Sequence, residues 1–90
     1  MTIEDVQAEI VTECEDIKRQ LLDKNRRYGN AVLEPLRLFS KANAIEQLLV
    51  RIDDKLSRVR SAQDDDYEDV IFDLIGYLIL LKIVNRHKGE

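Results

Sequence analysis

The sequence predicts an all-α domain, a small helical bundle of two long amphipathic helices and one central apolar helix with a short helical turn between them. Three observations carry this. Glycine and proline together number four in 90 residues, too few to punctuate a β-sandwich or a chain of βα units. Apolar residues recur three and four apart along two long stretches, the period of a helix with one face turned to a core. A third stretch, Val70 to Val84, is apolar apart from Asp73, Gly76 and Lys82. At 10.5 kDa the chain has room for one domain, residues 1–90, and its core is thin enough that a homodimer or higher homo-oligomer is expected to complete it.

The first helix opens on Thr2 and Asp5 in capping-box spacing and places Ile3, Val6, Ile10, Cys14, Ile17 and Leu21 on one stripe. It is expected to run for about 23 residues, with Cys14 as a buried core thiol. Lys24 to Asn30 reads as a loop, because Gly29 and two asparagines tolerate left-handed backbone. Pro35, the only proline, suits the first position of a short helical turn. Asn43 and Glu46 repeat the capping spacing, and Ile45, Leu48, Leu49, Ile52, Leu56 and Val59 make a second stripe ending near Arg60. Ser61 to Tyr67, with three successive aspartates, reads as a polar connector whose acids suit the start of the next helix. Val70 to Val84 leaves no face clearly for water and must be wrapped by other helices. It falls short of the roughly 20 residues of a membrane span and holds an aspartate, so no membrane association is expected. Arg86, His87 and Lys88 form a basic tail that complements the helix dipole.

Charge narrows the function. With 14 basic and 18 acidic residues the net charge is −4, which argues against nucleic acid as a partner while leaving room for a local basic patch. One cysteine excludes an internal disulfide, and Met1 to Asp5 lacks the basic start and apolar run of a secretory leader, so a cytoplasmic setting is expected. Phosphate loops ending in Gly-Lys-Ser/Thr and nucleophile elbows are absent from the sequence.

The most informative residue is Asp73. A carboxylate in an otherwise apolar helix needs a partner, because burying it unpaired costs several kcal/mol. Asp69, Asp73 and Tyr77 share one stripe, with Glu68 beside it and Gly76 permitting close approach of a neighbour. Three readings answer the repulsion between Asp69 and Asp73: a divalent cation, a pairing lysine or arginine such as Lys55, Arg51 or Arg58, or a retained proton. Oxygen donors without histidine or cysteine clusters suit Mg2+ or Mn2+ and exclude zinc. The second candidate is the loop Lys24 to Asn30, whose cations, amides and ring can hold a phosphate and stack a base. An ordinary helix-ending loop explains the same residues.

Taken together, Lys24-Asn25-Arg26-Arg27-Tyr28-Gly29-Asn30-Ala31, Arg51-Ile52-Asp53-Asp54-Lys55-Leu56-Ser57-Arg58 and Glu68-Asp69-Val70-Ile71-Phe72-Asp73-Leu74-Ile75-Gly76-Tyr77 resemble the small phage and prophage family called nucleotide modification associated domain, type 1. The resemblance covers roughly residues 15 to 85. That family is similar in turn to the all-α MazG-like and dimeric dUTPase-like nucleoside triphosphate pyrophosphatases. The resemblance implies a MazG-like fold and a magnesium-dependent pyrophosphohydrolase in the host cytoplasm. It places Asp54 and Asp73 as catalytic groups and Asp54, Glu68, Asp69 and Asp73 on the metal side. Lys24, Asn25, Arg26, Tyr28, Asn30, Lys55, Arg58 and Tyr77 fall on the phosphate or base side. In place of those enzymes' paired Glu-x-x-Glu and Glu-x-x-Asp motifs the last helix offers Asp69-x-x-x-Asp73, so a nucleotide binder without turnover stands as the alternative. A helical interaction protein with a buried ion network is a third reading.

Overall fold

The structure, a computed structural model, describes residues 1–31, 33–34, 37, 40–61 and 64–88, with the side chains of these residues other than 64–66. They form three helices, α1 (Ile3–Tyr28), α2 (Ala44–Ser61) and α3 (Asp64–Arg86), and no strand occurs among the described residues. The all-α expectation is met. The turn expected near Pro35 lies outside the described residues.

Helix α1 begins as its sequence dictates. The Thr2 hydroxyl accepts from the Asp5 amide at 3.1 Å, and the Thr2 amide donates to the Asp5 carboxylate at 3.0 Å. At the other end the helix runs through Tyr28, past the loop expected from Lys24 onward. Nothing before Gly29 breaks it. Asp23 instead accepts from Arg26 at 2.9 Å and forms an ion pair with Arg27 at 3.0 Å, pairs one turn apart that favour a helix, and the two arginines face the negative end of the dipole. Gly29 ends it at φ 64°, a conformation costly for other residues, and its amide donates to the Asn25 carbonyl at 2.7 Å.

Helix α2 is capped by Asn43, whose side-chain oxygen accepts from the Glu46 amide at 2.9 Å. It ends at Ser61, one residue beyond expectation. Helix α3 starts at Asp64, six residues before the apolar run, so most of the expected connector is helical. Acidic residues at that end are favoured by the helix dipole.

The core lies between α2 and α3, where Leu48, Ile52 and Val70 are buried. α3 is not fully wrapped: Leu78 and Ile79 remain exposed. α1 touches α3 along a short section and buries none of its own residues. Gly76 is buried at that contact, with a Leu21 methyl 3.0 Å from where a β-carbon would stand. Lys24 meets Asp73 and Leu21 meets Gly76, so α1 runs antiparallel to α3, and its first ten residues project past the end of α3. Cys14 is exposed, contrary to the expected core thiol: it borders an open groove between α1 and α3. The radius of gyration is 15.2 Å, against about 12 Å for a compact domain of this length. None of the described helices is long and apolar enough to cross a membrane.

Candidate functional site: an aromatic and cationic cleft

Where α1 leaves α3, a cleft of about 310 Å3 opens between the end of α1 and the middle of α2 and α3. Lys24, Asn25, Tyr28 and Asn30 line it from the α1 side, Arg51 from α2, and Phe72, Asp73 and Tyr77 from α3. Leucines 21, 33 and 80 complete its wall. Its size and composition, apolar with a few polar groups, match a small-ligand site.

The α1 side is held by its own hydrogen bonds. The Asn25 amide nitrogen donates to the Gly29 carbonyl at 3.2 Å and to the Asn30 side-chain oxygen at 3.0 Å. Asn25 thus fixes the exit of the helix and presents Tyr28 and Asn30 to the cleft.

Asp73 is partnered twice. Its carboxylate accepts from Lys55 of α2 at 3.0 Å and meets Lys24 of α1 at 3.5 Å. Of the three readings of this residue, pairing by lysine is the one the geometry displays. Lys55 was one of the expected partners; Lys24 was not. The Lys24 ammonium also lies 4.9 Å from the Phe72 ring centre, and the Arg51 guanidinium 5.8 Å from that of Tyr77, both within cation–π range. Each cleft cation therefore sits over a ring of α3.

Other expected site residues stand apart. Asp54 pairs with Arg58 at 3.4 Å one turn along α2, both well exposed, on the side away from the apolar stripe. Glu68 and Asp69 are exposed and do not line the cleft. Arg26 is drawn off to Asp23, and this hydrogen bond, helped by the nearby Arg27 charge, holds the Asp23 carboxyl below its usual range. Among the described residues, no three aspartate, glutamate, histidine or cysteine side chains come together as a group that could hold a metal ion. Asp54, Glu68, Asp69 and Asp73, the residues expected to hold Mg2+, are not brought together as such a group.

Arg51 and Phe72 were not among the expected ligand-binding residues. Arg51 lies further round α2 than Lys55 and one turn from it, a pattern that places it beside Tyr77 once α2 and α3 pair antiparallel. Phe72 lies within the apolar run of α3, and no local signal marks its edge on the cleft.

Compared with protein-family models, with curated proteins and with solved structures, the chain matches none.

Proposed function

We propose that this protein binds a nucleoside phosphate in the cleft and acts as an oligomer. One observation carries the reading: an acidic chain of net charge −4 gathers Lys24, Arg51 and, behind Asp73, Lys55 around a pocket edged by three aromatic rings. A pocket with more cations than anions draws an anion, and rings at its edge offer a stacking surface for a base. Arg51 and Lys24 take the phosphates, and Tyr28, Phe72 and Tyr77 take the base, while Asn25 and Asn30 shape the rim. The resemblance to the nucleotide modification associated family supports the same ligand class.

Binding without turnover is the form of this reading that the geometry favours. Hydrolysis through magnesium would call on Asp54, Glu68, Asp69 and Asp73, yet Asp73 is held by two lysines, Asp54 by Arg58, and the other two lie outside the cleft. A second reading, an ion network that sets helix register, draws on the contact of Asp73 with both α1 and α2. The deciding experiment is equilibrium dialysis of the protein against a nucleotide pool, with and without magnesium, followed by chromatography of both sides. Intact nucleotide retained with the protein is expected. Magnesium-dependent monophosphate would establish a pyrophosphohydrolase instead, and no retention would leave the ion network as the whole role of these residues.

A further inference from the structure

The first half of α1 carries an apolar stripe that the single chain leaves uncovered. Ile3, Val6 and Ile10 continue the apolar stripe of α1 beyond the end of α3, and all three are exposed. Farther along, the same stripe borders a second groove of about 520 Å3, walled by Ile17, Leu21 and Leu22 of α1 and by Ile75, Ile79 and Ile83 of α3. One apolar ridge and one apolar groove thus lie end to end on one helix.

Surface area gives the scale of what is missing. The chain exposes 7486 Å2, whereas a folded monomer of 10.5 kDa exposes about 5,400 Å2 by the usual scaling with mass. The excess of about 2,000 Å2 per chain is what a large obligate dimer interface hides.

Charge selects the occupant and its direction. Residues 1–16 carry six acidic residues and no lysine or arginine, while residues 17–28 carry five lysines and arginines against one aspartate. Asp5, Glu9 and Glu13 follow one another at four-residue spacing, a like-charge row that destabilises an isolated helix. Among the described residues, no cation pairs with Glu4, Glu9 or Glu13. A second α1 laid antiparallel brings its basic half against this acidic half, and a parallel one sets like on like.

We propose that a second copy of this chain covers α1, the two α1 helices packing antiparallel about a two-fold axis so that Ile3, Val6 and Ile10 of each enter the Ile17–Leu21–Ile79 groove of the other. The contact is isologous, so it closes at two copies. It supplies the oligomeric part of the proposed function, but its test uses no nucleotide, so either can fail while the other stands.

The test is the mass in solution by sedimentation equilibrium at micromolar concentration. Wild type is expected at about 21 kDa, twice the chain mass, and Ile10→Lys at the mass of one chain. Ala8→Lys, on the opposite face of α1, is expected to stay dimeric. A charge exchange keeps the proposal testable should Ile10→Lys unfold. Glu4→Lys/Glu9→Lys/Glu13→Lys and Lys18→Glu/Arg27→Glu, each alone, are expected to lose the dimer, and the two mixed to regain it as a heterodimer. A monomeric wild type, a dimer indifferent to Ile10→Lys, or no recovery on mixing would overturn the proposal.

Discussion

Replacing Asp73 by asparagine removes the charge that joins all three helices while keeping the shape. The Lys55 side chain is only 13% exposed and Asp73 is 31% exposed, so the lysine is left with an amide where it had a carboxylate at 3.0 Å. A hydrogen bond to a charged group is worth about 1.5–3 kcal/mol, and breaking a fully buried pair costs about 3–5. Partial exposure of Asp73 puts the expected loss at the lower end, about 2 kcal/mol. For a chain of this length that lowers Tm by about 8–16 °C. Lys55→Met is expected to cost about 1 kcal/mol, because Asp73 keeps Lys24 at 3.5 Å and some water. The double variant should cost less than the sum, with a coupling of about 1 kcal/mol. The assay is urea unfolding followed by circular dichroism for all four proteins at one fixed concentration, since assembly would otherwise shift apparent stability. A coupling below about 0.3 kcal/mol, the level at which separate sites simply add, would refute the ion pair as a stabilising contact.

Other outcomes follow from the same contacts. Arg51→Ala is expected to weaken nucleotide binding by about 10–100-fold in calorimetric titration through loss of a charge-assisted hydrogen bond, and unchanged affinity would remove Arg51 from the site. Asp73→Asn releases Lys24 toward a phosphate, so affinity for inorganic pyrophosphate should rise even as stability falls; a magnesium-dependent site would lose it. Arg26→Ala should raise the Asp23 pKa toward its ordinary value in a carbon-detected NMR titration. The lowered Asp23 pKa contributes stability that is present above the unfolded-state value and lost as pH falls through the folded one, so the wild type loses this contribution only in acid. Gly76→Ala should be tolerated within about 1 kcal/mol, since helix propensity gains what a small shift of Leu21 costs, whereas Gly76→Leu should destabilise by about 1–3 kcal/mol by pushing α1 off α3.

The parts of this molecule legible in its sequence are those set by neighbours along the chain. The Thr2–Asp5 box and the Asn43 cap were readable because capping spacing is local, and both stripes because periodicity is. Asp73 was readable as a residue needing a partner, and Lys55 as a candidate, because a charge amid apolar neighbours is itself a signal. The second partner was not. Lys24 reaches Asp73 only through the antiparallel approach of α1 to α3, a contact that no local pattern announces. Cys14 misled for a related reason: its stripe is apolar, but the groove it borders with Ile79 and Ile83 of α3 stays open, so α3 does not cover it. The boundary errors at Lys24 and Asp64 have a simpler origin. Polar and charged residues at helix ends look like connectors until their ion pairs and the dipole are counted.

Lys24 ties these levels together. It belongs to the ion network through Asp73, to the cleft through its place over Phe72, and to a helix that one chain leaves uncovered. On the proposed function a ligand phosphate would compete with Asp73 for its ammonium, so binding would draw on the contact that holds α1 to α3. In the proposed dimer a second α1 would hold the helix from outside without using Asp73. If both proposals hold, assembly and ligand binding are linked through one helix, and linkage of this kind is reciprocal: whatever raises the affinity of the dimer for its ligand must, by the same factor, raise the affinity of the liganded chain for its partner.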